Sequence, residues 1–164
     1  MDDKSYEDVL KNLTRIILTS PQKMIRKDDL LNLCKGFDFE RLISDVYINL
    51  KRVGFEFISS NFMGQKYYIL TSEGKDDNIT PSQYGTLALI IALSKELDEN
   101  INIDDLKEIF IDLWNSDVQF LIENDYLRKD DSLNIIKVTP LGKALLKDVL
   151  EDLKLKQLID VFKP

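Results

Sequence analysis

Hydrophobic positions recur along this chain in two periods, and the change from one to the other marks out its elements. Tyr6, Val9, Leu10, Leu13, Ile16 and Ile17 keep the spacing of one helical face. Ser5 is placed to cap that helix, which runs to about Leu18, and Pro21 ends it. A short second helix carries Leu30, Leu31 and Cys34, with Gly36 placed to stop it. The third starts at Asp38, a capping residue, and Phe37 and Leu42 can staple across the cap. Phe39, Leu42, Ile43, Val46, Leu50 and Val53 then repeat at helical spacing until Gly54. From there the period is two. Phe55–Ser59 and Lys66–Leu70 are rich in aromatic and β-branched residues, and Ser60–Gln65 between them reads as a hairpin loop.

Three helices followed by a hairpin is the order of a winged helix. The aperiodic stretch from Thr71 to Asn78 reads as a connection, which sets a first domain at 1–72, a linker at 73–80 and a second domain at 81–164. The second half opens on Thr80-Pro81-Ser82-Gln83, where Thr80 and Gln83 can form a reciprocal cap and Pro81 suits the first helical position. Leu87 to Leu93 is then seven consecutive apolar residues, so this helix has no polar face over two turns and should be covered on all sides.

The plan of the first half now repeats. Arg15-Ile16-Ile17-Leu18 followed by Asp28-Asp29-Leu30 is echoed by Leu89-Ile90-Ile91-Ala92 followed by Asp104-Asp105-Leu106. A helix is expected from about Asp105 to Leu113, and another from Ser116, with Gln119 completing a capping box. Tyr126–Lys129 and Leu133–Val138 flank the turn signal Asp130-Asp131-Ser132 and form the second hairpin. Thr139-Pro140 starts a last helix that could continue to Phe162. Its apolar arc is wider than one packing face needs, so Leu158 and Phe162 either cover the first domain or are offered to a partner. The expected fold is therefore α+β and mostly helical, with two tandem winged-helix domains and a long C-terminal helix.

Charge separates the halves. Residues 1–75 hold 12 basic and 11 acidic side chains, net +1, whereas 76–164 hold 10 and 18, net -8. The total of -7 opposes indiscriminate binding to nucleic acid or anionic membrane, so any phosphate contact must be local. The single cysteine, Cys34, sits where a buried apolar residue is expected and cannot form an intrachain disulfide, which points to a reducing compartment. The acidic N-terminus lacks the pattern of a signal peptide, and no apolar run approaches the ~20 residues needed to span a bilayer. A cytoplasmic protein with no membrane partner is expected.

The inventory for catalysis is thin. The sequence has no histidine, which removes the commonest general base and metal ligand, and Cys34 has no imidazole to activate it. Acidic pairs such as Asp28-Asp29 and Asp104-Asp105 fall at helix starts and turns and lack the alternation of a calcium loop. No glycine-rich segment matches a phosphate-cradling loop. No enzyme activity, metal or cofactor is expected.

For nucleic acid, the two third helices differ. The one in the second domain is expected to expose Asp117, Gln119, Glu123 and Asp125 with no Lys or Arg, so a phosphate backbone would be repelled. The first domain offers Lys23, Arg26 and Lys27 before its second helix, Arg41, Asn49, Lys51 and Arg52 on or after its third, and Lys66 on the hairpin. Glu40, Asp45 and Glu56 are interleaved, so a solvated surface and a weak, sequence-independent DNA contact fit equally. Phe62 and Met63 stand at the hairpin tip, and Phe110, Trp114 and Phe120 lie in the second domain. Such residues are mostly core, though an indole near a helix end is also a common interface anchor.

Particular segments resemble a known family. Gln22–Leu31, then Val46–Phe57, then Tyr67-Tyr68-Ile69-Leu70 are similar to the first winged helix of the MAGE homology domain. Tyr84–Leu93 followed by Ile103-Asp104-Asp105-Leu106 resembles the segment opening that family's second winged helix. The resemblance covers roughly Tyr6 to Leu150 and rests on packing patterns. It implies a kite subunit: a tandem winged-helix protein that binds the kleisin of a structural-maintenance-of-chromosomes (SMC) complex beside its SMC-type ATPase. It further implies a homodimer formed through the first domain, association with chromosomes, and a kleisin helix near Phe110, Leu113, Trp114 and Phe120. The strongly acidic second domain departs from animal members, so their ubiquitin-ligase partnership is not carried over. The competing expectation is a winged-helix transcription regulator, which would hold duplex DNA tightly; an adaptor without DNA is a third.

Overall fold

The computed structural model of the chain describes residues 3–72 and 79–152. The chain divides into two compact units, Met1–Lys75 and Asp76–Pro164. In the first, helix α1 (Asp3–Thr19) leads through strand β1 (Met24–Arg26) to α2 (Lys27–Leu31), α3 (Phe39–Arg52) and the hairpin β2 (Phe55–Phe62) and β3 (Gln65–Ser72). The three strands form one antiparallel sheet in the order β1-β3-β2. Leu13 and Ile17 of α1, Leu42, Val46 and Leu50 of α3, and Phe57, Tyr68 and Leu70 of the hairpin share one buried cluster with Leu30 and Cys34. Burying each such side chain contributes roughly 1.5–3 kcal/mol. Helical spacing alone therefore aims α1 and α3 at one face of the hairpin.

Local chemistry explains the ends of these elements. Asp38 accepts a hydrogen bond from the Glu40 amide and caps α3 as expected. Helix α2 is shorter than its apolar spacing suggests. Past Leu31 the chain tightens, with the Cys34 amide donating to Leu31 O and the Phe37 amide to Cys34 O, and this drops Cys34 into the core. The hairpin is longer than expected, because β2 and β3 pair out to Phe62 and Gln65. Met63 and Gly64 alone make the turn, both with positive φ, as the two-residue turns that match strand twist require.

The second unit runs α4 (Pro81–Glu96), β4 (Ile101–Asn102), α5 (Ile103–Ile109), a π-helical turn (Trp114–Val118), α6 (Gln119–Glu123), β5 (Leu127–Asp130), β6 (Ile135–Val138) and α7 (Pro140–Asp152). Its sheet order, β4-β6-β5, is that of the first unit, and both hairpins are antiparallel. The fold is thus α+β, with two small three-stranded antiparallel sheets among helices. The capping box forms: the Thr80 hydroxyl accepts from the Gln83 amide and the Gln83 side chain accepts from the Thr80 amide. Helix α4 is flanked by the π-helical turn, α6, α7 and β6. Its coverage is nearly complete, with Leu87, Ala88, Ile90 and Ile91 buried; Ala92 is the exception and faces solvent.

Two expectations fail here for one reason. The helix foreseen to Leu113 ends at Ile109, and the Ser116/Gln119 cap is not made; α6 begins only at Gln119, without a side-chain cap. Between them the amides of Asp117 and Val118 both donate to Leu113 O, the wide loop of a π turn. This turn places Asp117 against α4, as described below. The last turns foreseen to Phe162 lie outside the described residues. Among those described, no helix is long and apolar enough to cross a membrane.

Candidate functional site

The basic side chains of the first unit fall into separate groups. Arg26 ends β1 and opposes Tyr67 of β3. Its guanidinium lies 3.5 Å from Asp29 and 3.5 Å from the Gln65 side chain. Lys27 Nζ sits 5.2 Å over the Phe39 ring and 3.7 Å from Glu40, while Lys66 Nζ sits 5.7 Å over the Tyr68 ring. Phe39 and Tyr68 are themselves in edge-to-face contact, so Lys27 and Lys66 flank one aromatic pair. Burial first, and the Glu40 carboxylate second, push the Tyr68 phenol up. Asp29 and Glu40 offset two of the three cations at this end, which leaves little net charge for a phosphate backbone.

Arg41 stacks over Tyr6, 4.5 Å from its centroid, at the start of α3. Lys51 and Arg52 are at its other end, about 15 Å further along the axis at 1.5 Å per residue. Lys51 lies over the Tyr47 ring at 5.9 Å. Lys23 is exposed before β1, and its carbonyl accepts from the Leu70 amide. Among the seven cations, Arg41 and Lys51 thus stand at opposite ends of α3.

Two cations that sequence reasoning passed over line a groove of the first unit. Lys11 and Arg15 of α1, with Thr14, Leu18 and Thr19, face Asn49 of α3 across a groove of about 320 Å³. Asn49 and Arg52 are three residues apart on α3 and share a face. The i, i+4 spacing of Lys11 and Arg15 was the available signal.

In the second unit, Phe110 is only 5% exposed and belongs to the core, whereas Leu113, Trp114 and Phe120 are half-buried. Lys107 Nζ lies 5.2 Å over the Trp114 ring. The apolar side chains that do reach solvent here are Ile109, 58% exposed, and Ile111, 71% exposed, with acidic Asp105, Glu108 and Asp112 exposed around them. They were missed because a helix continuing to Leu113 would have turned part of that segment inward. Leu158 and Phe162 lie outside the described residues.

Asp117, expected on the surface, is buried. Its carboxylate accepts from the Ser82 hydroxyl at 2.5 Å and the Thr86 hydroxyl at 3.0 Å, both on the first turns of α4, where the helix dipole favours negative charge. Those bonds tie the π turn, and Trp114 with it, to α4. Asp125, also expected exposed, is half-buried and holds the Arg128 guanidinium at 2.9 Å. Cys34 is buried, and burial pushes its thiol up, away from the reactive thiolate. No group of three or more His, Cys, Asp or Glu among the described residues is placed to hold a metal ion.

No protein-family model matches the chain, and no curated protein matches it in sequence.

Proposed function

We propose that the chain is a non-enzymatic tandem winged-helix subunit of the kite type, working in an SMC-type chromosome-organising complex. Its second unit engages a kleisin helix through Ile109, Ile111, Leu113 and Trp114, and two copies associate through the first unit. The observation that carries this reading is the repeated plan: helix, strand, helix, helix and hairpin, with the same sheet order in both units. The acidic rim around Ile109 and Ile111 suits a basic amphipathic segment, not a nucleic-acid backbone. Contact with DNA is confined to the first unit, where ion pairs already offset Arg26 and Lys27.

Fluorescence anisotropy of labelled duplexes with the full chain separates this reading from a transcription regulator. The kite reading expects unrelated sequences to bind alike, with a Kd on the order of 10 µM or weaker at physiological salt. A single duplex sequence held with a nanomolar Kd would overturn it in favour of the regulator.

A further inference from the structure

The first unit carries a groove whose Lys11, Arg15 and Leu18 belong neither to the kleisin surface nor to the expected DNA contact. Lys11, Arg15 and Leu18 follow one another at i, i+4 and i+7 and so lie along one side of α1, over about two turns. Asn49 stands opposite on α3, and Arg52 and Val53 share its face. The hydroxyls of Thr14 and Thr19 donate back to Leu10 O and Arg15 O, each at 2.8 Å, so they bring no free donor to the lining. Leu18 is exposed, and so is Val53.

The cations here differ from those at the other end of the unit. Arg15 bonds the Asn12 side chain at 2.7 Å, and among the described residues no carboxylate pairs with Lys11, Arg15 or Arg52. Arg26 and Lys27, by contrast, each have one. The unit thus leaves unpaired positive charge at the rim of an apolar groove of about 320 Å³, room for a few apolar side chains. A duplex backbone would meet the cations and leave Leu18 and the groove unfilled.

We propose that this groove docks an acidic amphipathic helix of a partner protein. Apolar side chains of that helix fill the groove on Leu18, and its carboxylates meet Lys11, Arg15 and Arg52. The inference does not depend on the kleisin contact, which concerns the second unit; the dimer and DNA contacts proposed for the first unit rest on neither Lys11 nor Arg15.

The test uses the full chain and a fluorescein-labelled synthetic helix of about four turns, built of Glu, Ala and Leu with the leucines on one face. A peptide with Lys in place of every Glu and an unlabelled short DNA duplex serve as comparison and competitor. The variants are K11E/R15E, Leu18→Asp and, as a reference outside the groove, Lys35→Glu, each checked by circular dichroism and thermal melting. The expected result is saturable binding of the acidic peptide that weakens about tenfold or more in K11E/R15E and in Leu18→Asp, falls with salt, and is unchanged in Lys35→Glu. The lysine peptide, which suits the acidic second unit, should bind the groove variants no more weakly than the unaltered chain. Three results would overturn the proposal: no acidic-peptide binding up to roughly 1 mM, acidic-peptide binding that ignores the groove variants, or lysine-peptide binding that weakens in those variants as much as acidic-peptide binding does. Duplex affinity that falls in K11E/R15E while peptide binding holds would make the groove a nucleic-acid surface instead.

Discussion

Replacing Asp117 by alanine removes the acceptor that joins the π turn to α4. Its carboxylate takes hydrogen bonds from Ser82 and Thr86 at 2.5 and 3.0 Å inside the second unit. Bonds to a charged acceptor contribute roughly 1.5–3 kcal/mol each. Relief from the desolvation of a buried carboxylate returns part of that sum, so the net loss is about 2–4 kcal/mol. Trp114 is the only tryptophan and lies on the same turn, so its fluorescence follows this unit directly. With a urea m-value of about 1–3 kcal/mol/M, the midpoint should fall by about 1–2 M. A double-mutant cycle of Asp117→Ala with Thr86→Val should show a coupling of about 1 kcal/mol or more. A midpoint shift below about 0.3 M, or strict additivity in the cycle, would refute the claim that this carboxylate fixes the turn.

Two further outcomes follow from single contacts. A Cβ at Gly142 of α7 would stand 2.3 Å from the Tyr126 carbonyl oxygen, so Gly142→Ala should destabilise the second unit by roughly 1–3 kcal/mol, read by the same urea melt; an unchanged midpoint would contradict the close approach. Burial, then the Asp45 carboxylate that its hydroxyl donates to, push the Tyr6 phenol from 10.0 up to about 12, against a smaller opposing pull from Arg41. Its folded pKa lies above the unfolded one, so the stability it gives is full below pH 10 and is lost as pH rises through about 12. Ultraviolet titration of the tyrosines should show late steps, of which the one from Tyr6 moves down in Asp45→Asn while that of Tyr68 stays, and a titration identical in the two proteins would contradict the contact.

The long elements were legible because their signals are local. Phe39–Arg52 carries a capping aspartate and a sustained apolar stripe, and Pro81–Glu96 carries a reciprocal cap on an apolar run, so each declares its own start. Strands β1 and β4 were invisible because three and two residues hold no period. They exist through pairing with β3 and β6, more than thirty positions away for Ile101 and Ile136. At Ser116 a genuine capping signal lost to a tertiary one, since Asp117 bonds α4 and winds the chain into a π turn. The same turn explains the site. Phe110 looked like an anchor by residue type and is core, while Ile109 and Ile111, one position to either side, take the exposed places. Lys11 and Arg15 were readable as a helical pair, but the groove beside them needed α3 brought alongside.

The central claim, a kite-type subunit whose second unit holds a kleisin, is tested most directly by affinity purification of the full chain from its native source with mass spectrometry of what it carries. The I109D/I111D variant is run beside it, since both side chains are exposed and the exchange leaves the core intact. The account predicts a kleisin and an SMC-type ATPase with the unaltered chain and the loss of both with the variant. Recovery of promoter-bound polymerase components instead, or equal recovery of the kleisin by the variant, would contradict it.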